Sequence, residues 1–157
     1  MRSSTDAVTR APFRVVRDDD PFIVLVDDVR VFKDGRAQVV AQSADEALDA
    51  LDRLHGMRID ELWLDYDIVG GTSQPVVDRL VAMAEHGVPA DIGRVVVHSA
   101  RVPEGLHVTQ ALVEAGYRAE RNYALGIWSR RTHSSWLDPS AFAGEELREF
   151  TASGRMP

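Results

Sequence analysis

The chain contains no cysteine among its 157 residues. Disulfide bonds, thiolate chemistry and zinc sites with sulfur ligands are therefore excluded. It also lacks an apolar run long enough to span a bilayer, so we expect no membrane segment. The start at residues 1–6 is polar and does not resemble a signal peptide, so we expect a cytoplasmic protein.

Positive charge is scarce as well. The 18 lysines and arginines are outnumbered by 25 aspartates and glutamates, and the net charge is −7. Because binding to duplex DNA without regard to sequence needs a basic surface, we expect no such binding. A short nucleotide or an RNA end stays compatible with this charge. Lys33 is the only lysine in the chain.

What remains is the composition of an ordinary globular protein, with 45% hydrophobic and 27% charged residues. The length indicates one domain with a substantial core. We predict a flexible N-terminal segment over residues 1–20, an α/β domain over 21–124 and a C-terminal extension over 125–157. The extension begins with a basic, aromatic stretch, and its role as a lid or as a homodimer interface is left open.

Strands and amphipathic helices alternate along the domain. Ser43 and Glu46 form a capping box that begins the first helix. The second helix follows the loop of residues 68–73, and the third begins near Pro103. The predicted strands cover residues 22–26, 37–42, 59–65, 94–98 and 117–123. This alternation predicts a parallel five-stranded sheet in a three-layer α/β sandwich of flavodoxin type, with strand order 2-1-3-4-5. The connection between the first two strands is too short for a full crossover helix.

Three of these strands end in polar side chains. The first runs into Asp27 and Asp28, the third into Asp65 and Asp67, and the fourth into His98 and Ser99. Since the carboxyl ends of parallel strands meet at one edge of the sheet, we expect one site there. Clustered carboxylates repel each other unless their pKa values rise or a cation binds, and oxygen ligands favour Mg²⁺ or Mn²⁺.

Two interpretations stay open for each residue around this site. Arg30 can bind a phosphate oxygen or form a salt bridge to an aspartate. His98 can act as a general acid or base, or be a structural residue. Ser99 can bind a phosphate oxygen or cap the following loop.

The motif residues resemble two families. Asp27-Asp28, Asp65 and a hydroxyl residue after the fourth strand resemble the receiver domains of bacterial response regulators, in which the third-strand aspartate accepts a phosphoryl group. That family also has a lysine at the end of the fifth strand. This chain cannot supply it, because Lys33 precedes the second strand.

The chain resembles more closely the cyclic-phosphate processing receiver domains. The corresponding stretches here are Val26-Asp27-Asp28-Val29-Arg30, Leu64-Asp65-Tyr66-Asp67-Ile68 and Val97-His98-Ser99-Ala100-Arg101. Tyr66 replaces a histidine of that family, and Arg101 replaces an asparagine. The resemblance spans roughly Phe22 to Tyr117 and implies a receiver-like fold with a reduced first crossover helix.

From the strand ends and this resemblance we expect a metal-dependent phosphoesterase that processes a cyclic phosphate on a nucleotide or RNA end. Asp27, Asp28 and Asp65 are the expected ligands of Mg²⁺ or Mn²⁺. The expected catalytic residues are His98, Asp65 and Asp67, and the expected substrate-binding residues are Arg30, Ser99 and Arg101. The alternatives are a non-enzymatic binding or regulatory module and an atypical receiver phosphorylated on Asp65.

Overall fold

The computed structural model describes residues 17–130. Its strands and helices, in chain order, are β1 Ile23–Val26, β2 Arg30–Phe32, β3 Val39–Ala41, α1 Ala44–Arg53, β4 Ile59–Leu64, β5 Asp67–Ile68, β6 Gly71–Thr72, α2 Gln74–Glu85, β7 Ile92–Val97, α3 Val102–Glu114, β8 Ala119–Arg121 and β9 Trp128–Arg130. Within this part of the chain, no helix is long and apolar enough to cross a membrane.

The central sheet has five parallel strands in the order β3-β1-β4-β7-β8. This is the order predicted from the sequence, with β3, β1, β4, β7 and β8 as the second, first, third, fourth and fifth predicted strands. β1 lies beside β4, with Val26 in register with Leu64. The receiver-like, flavodoxin-type α/β fold is confirmed.

β1 is buried on both faces, as its continuous apolar sequence predicts. All four of its residues are at most 2% exposed. Val24 and Val26 contribute to a large core, whereas Ile23 and Leu25 contribute to a smaller one. Alternate residues of the same strand thus serve opposite faces of the sheet.

The three helices cover the face that contains the large core. Ala47 of α1, Leu80 of α2 and Leu112 of α3 are buried there together with Val95 and Val97 of β7. Ser43 caps α1 as predicted, because its side chain accepts a hydrogen bond from the Glu46 amide. The Glu46 carboxylate in turn accepts one from the Gln42 amide, one residue earlier than in the usual capping box.

The opposite face is covered differently, and here the structure adds to the sequence prediction. No helix connects β1 to β3; instead β2 pairs antiparallel with β9. This ribbon packs Phe32 and Trp128 onto Trp63 of the sheet. Since β9 belongs to this packing, the domain predicted to end at residue 124 extends at least to Arg130. The rest of the predicted extension lies outside the described residues, as does most of the predicted segment 1–20.

Candidate metal and phosphate site

Three carboxylates meet at the carboxyl edge of the sheet. One ligand atom from each of Asp27, Asp28 and Asp65 can be chosen so that all three lie within 4.8 Å of one another. The first two follow β1 directly, and Asp65 follows β4, its neighbour. Carboxylate oxygens are the donors that hard divalent cations prefer, so this donor set fits Mg²⁺ or Mn²⁺.

Asp27 is the most deeply placed of the three, with 0% exposure. Its Oδ1 accepts hydrogen bonds from the backbone amides of Val29 and Arg30, both at 2.8 Å. Its Oδ2 accepts one from Arg30 Nε at 3.0 Å and contacts His98 Nε2 at 2.9 Å. Burial alone raises the pKa of Asp27, but these bonds and the Arg30 charge outweigh it, so the pKa lies below its usual range.

Arg30 bridges two of the three carboxylates. Besides Asp27, its guanidinium contacts Asp65 Oδ2 through Nη2 at 3.1 Å, and the same nitrogen donates to the His98 carbonyl at 3.2 Å. Burial opposes its charge, but the two aspartates raise its pKa further. The salt bridge foreseen as one interpretation of Arg30 is therefore present. Arg30 also lines the cavity described below, so the structure is compatible with the other interpretation as well.

Asp65 is close to buried, with 9% exposure, and its pKa is raised to about 6. Desolvation is the main cause and the nearby Asp27 charge adds to it, whereas Arg30 counteracts both. Two neighbouring carboxylates thus have pKa values shifted in opposite directions. Asp27 accepts hydrogen bonds from several protein groups, which stabilise its negative charge. Asp65 lies where a negative charge is less well stabilised.

His98 lies behind Asp27 and is 0% exposed. Its ring stacks on Trp128 with 4.8 Å between centroids, and burial lowers its pKa despite the contact with Asp27. Because the ionised Asp27 only accepts hydrogen bonds, Nε2 is the protonated nitrogen of a neutral ring. Nδ1 is buried and has no hydrogen-bond partner among the described residues. The geometry therefore favours a supporting role rather than direct proton exchange with a substrate.

The remaining predicted residues lie further out. Ser99 is buried, and its hydroxyl accepts a hydrogen bond from the Arg101 amide at 3.1 Å, which is the loop-capping interpretation. The Arg101 guanidinium pairs with Asp67 at 2.9 Å, where both side chains are about half exposed. The Arg101 guanidinium also lies over the Tyr66 ring, 5.8 Å from its centroid. Tyr66 occupies the position of the family histidine. Asp67 is thus outside the group of three carboxylates.

A cavity of about 470 Å³ opens beside the cluster. Its lining residues are Asp28, Val29, Arg30, Asp65, Asp67, Ile68, Ala100, Tyr123 and Arg130. Neither Asp27 nor His98 is among them. Neither Tyr123 nor Arg130 is among the site residues predicted from the sequence. The pairing of β2 with β9 brings Arg130 there, directly opposite Arg30. The basic, aromatic stretch in which Arg130 follows Trp128 is the signal that the sequence offers for it.

Comparison with known proteins agrees with the residues at this edge. Residues 22–114 match the family described as "Cyclic-phosphate processing Receiver domain". The chain belongs to this family. The matched range contains every predicted site residue. A signal receiver domain from Vibrio parahaemolyticus, known from a crystal structure, is similar at 11% identity and a TM-score of 0.40, over 87% of this chain and 98% of that one. No curated protein matches the chain.

Proposed function

We propose that this receiver-family protein is a metal-dependent phosphoesterase that hydrolyses a cyclic phosphate on a nucleotide or an RNA end. The observation that supports the proposal is the convergence of three carboxylates and one guanidinium beside a cavity of about 470 Å³. The family description names cyclic phosphates as the class of ligand. The proposed cofactor is Mg²⁺ or Mn²⁺ at the carboxylate cluster.

Such a cation supplies Lewis-acid polarisation of a phosphoryl oxygen and lowers the pKa of a bound water. The other contributions come from side chains that line the cavity. Arg30, held in place by Asp27 and Asp65, donates to a phosphate oxygen. Tyr123 offers an aromatic ring, 48% exposed, against which a nucleobase can pack.

A proton donor or acceptor for the ester oxygens is also needed. Asp67 lines the cavity and is exposed to solvent, so it is our candidate for this role. His98 contributes through Asp27, whose orientation it fixes from behind. The proposal therefore assigns proton transfer to Asp67, which a substrate can reach, and not to His98.

The test is hydrolysis by purified protein with Mn²⁺ of a panel of 2′,3′-cyclic, 3′,5′-cyclic and ADP-ribose cyclic phosphates, followed by ³¹P NMR. We expect turnover of at least one class by the wild type and by Glu120→Gln, a carboxylate variant at the other end of the sheet. We expect none from Asp28→Asn. If none of these cyclic phosphates is hydrolysed, the proposal that the protein is an enzyme is wrong. A stable fluoroberyllate complex at Asp65 would favour the receiver alternative, and binding of a cyclic phosphate without turnover would favour the binding module.

A further inference from the structure

Arg130 lies beside the candidate site because a short antiparallel ribbon brings it there. β9 pairs with β2 so that Arg130 lies directly opposite Arg30, and both residues line the cavity at the carboxyl edge. In such a pair the Cβ atoms of opposite residues are about 4.5–5.5 Å apart. The ribbon therefore presents two guanidinium groups, and not one, to a ligand in this cavity.

The strand that carries Arg130 is held in place by the residues before it. The Trp128 ring stacks on Phe32 with 4.6 Å between centroids and on His98 with 4.8 Å. Its Nε1 donates a hydrogen bond to the Ala124 carbonyl at 2.9 Å. Because alternate residues of a strand share one face, Arg130 projects from the same face of the ribbon as Trp128, which packs onto the sheet. The backbone of Arg130 is thus fixed next to the site.

The two arginines differ in depth and in surroundings. The Arg30 side chain is only 20% exposed and contacts Asp27 and Asp65, whereas Arg130 is exposed. Arg30 is therefore suited to an anionic group deep in the cavity, and Arg130 to one nearer the solvent. Like charges directly opposite each other destabilise an antiparallel pair, so the ribbon alone favours a neutral or acidic residue at position 130. An anionic ligand offsets this repulsion and gives a reason for a basic residue there.

Tyr123 adds an aromatic surface to the same cavity. β8 ends at Arg121, and the Asn122 amide still donates to the Val97 carbonyl at 3.0 Å, so the next residue lies at the carboxyl edge. The Tyr123 side chain is 48% exposed and has no hydrogen bond or aromatic neighbour among residues 17–130. Nucleobases of any kind stack on such a ring, because each has a π-face.

We propose that Arg130 binds a second phosphate of the substrate, joined to the 5′ oxygen of the ribose that carries the cyclic phosphate. The inference rests on the proposed function and narrows its substrate class to compounds with at least two phosphates. When the cyclic phosphate lies at Arg30, the base and the 5′ oxygen are the ribose substituents left to extend outwards. Tyr123 packs against the nucleoside, and the forked donors of Arg130 pair with the 5′ phosphate.

A 5′ phosphate of this kind occurs at an RNA end, as a phosphodiester, and in ADP-ribose, as a diphosphate. Both sources share the chemistry that Arg130 recognises. Tyr123 and Arg130 follow residue 114, where the family match ends, so the proposed selectivity comes from residues outside the matched range.

Ligands with and without a 5′ phosphate test the role of Arg130. The probes are adenosine 3′-phosphate, adenosine 3′,5′-bisphosphate for an RNA end, and ADP-ribose 2″-phosphate for a diphosphate. None contains a cyclic phosphate, so their affinities are measured without the proposed reaction. In calorimetry with the Mn²⁺-loaded wild type, at least one probe with a 5′ phosphate should bind about tenfold or more tightly than adenosine 3′-phosphate, as expected for one hydrogen bond between charged groups.

Arg130→Gln should abolish this preference and leave the affinity for adenosine 3′-phosphate nearly unchanged. Arg118→Gln is the matched control, because it removes an exposed positive charge at the other end of the sheet and should keep the preference. Equal affinities of the wild type for all three probes would overturn the inference. An equal loss for all three in Arg130→Gln would overturn it as well, because this arginine would then support the ribbon or the phosphate at Arg30.

The role of Tyr123 is tested with the same calorimetry. Tyr123→Ala should weaken adenosine 3′-phosphate binding by about tenfold, the size of one base–aromatic stack, and Tyr123→Phe should resemble the wild type. Inorganic phosphate, which has no base, should bind equally to all three proteins. A similar loss for inorganic phosphate in Tyr123→Ala would contradict stacking. If the preference for a 5′ phosphate is found but no cyclic phosphate is hydrolysed, only the proposed function is wrong.

Discussion

Two cavities of nearly equal size lie at opposite ends of the same sheet, about 460 Å³ at the amino ends of β4, β7 and β8 and about 470 Å³ at the carboxyl edge. Carboxylates and arginines line both. At the amino end, Arg94 pairs with Glu61 at 2.8 Å and with Glu120 at 3.1 Å, and its own side chain is 45% exposed. At the carboxyl edge, the side chain of Asp27 is fully buried and that of Arg30 is 20% exposed.

The difference shows what makes charged side chains a candidate site. In the amino-end cavity, opposite charges alternate in contact with water, where exposed ion pairs contribute little and repulsion is small. At the carboxyl edge, three carboxylates converge, and two of them share the guanidinium of Arg30 in a poorly hydrated place. Burial there raises the free-energy cost of unpaired charge. A cation or an anionic ligand that compensates such a charge is therefore bound more strongly than at an exposed site.

Removal of the buried anchor should have the largest effect on stability. Asp27→Ala leaves two amides, the Arg30 guanidinium and the His98 ring without their acceptor. We expect a loss of about 3–5 kcal/mol in the free energy of unfolding, as for other broken buried ion pairs, measured by urea denaturation without metal. Glu120→Ala in the amino-end cavity is the control. A loss below about 1 kcal/mol for both variants would mean that the two ends do not differ.

Asp65→Asn should instead raise the free energy of unfolding at neutral pH. The pKa of Asp65 is about 6 in the folded protein, whereas its ordinary value is 3.8. Between these pH values the folded protein keeps the proton and the unfolded chain loses it. The free energy of unfolding therefore falls as the pH rises from about 4 to 6, and above pH 6 the loss stays constant. A shift of about two units corresponds to at most about 3 kcal/mol.

Since asparagine cannot ionise, the metal-free variant should be more stable than the wild type at pH 7 and similar to it near pH 4. Thermal denaturation at the two pH values measures this. Equal stability of the two proteins at pH 7 would contradict the raised pKa.

Arg94→Ala should have the smallest effect. The side chains of Arg94 and of its partner Glu120 are about half exposed, so we expect a loss of less than about 1 kcal/mol that shrinks further in high salt. Urea denaturation at low and high salt measures it. A loss as large as that of Asp27→Ala, insensitive to salt, would show that the amino-end cluster is also a tightly coupled unit.

The sequence predicted the sheet, its order and the convergence of its strand ends because these follow from local patterns. A buried strand is readable in Ile23–Val26, and polar residues after it must lie at the carboxyl edge. The reduced first crossover was also readable, from the short distance between the first two predicted strands.

The rest depended on pairing between distant parts of the chain. β2 and β9 have three residues each and are about 100 residues apart, which is too short for a recognisable periodicity. Without β9, neither the stacking of Trp128 on His98 nor the burial of that histidine could be foreseen. Similarly, the sequence places both Asp65 and Asp67 after the third predicted strand. They do line one cavity, but the β5–β6 ribbon holds Asp67 apart from the carboxylate cluster, beside Arg101.

The most direct test of the site is the binding of Mn²⁺ to the metal-free protein, measured by calorimetry at pH 7.5 and pH 5. We expect one site in the wild type and in Glu120→Gln, with an affinity that falls as the pH drops through about 6, where Asp65 takes up a proton. Asp28→Asn should lose about 100-fold or more in affinity at pH 7.5. Equal affinities for Asp28→Asn and Glu120→Gln, or no binding by the wild type, would contradict a divalent-cation site at the carboxyl edge.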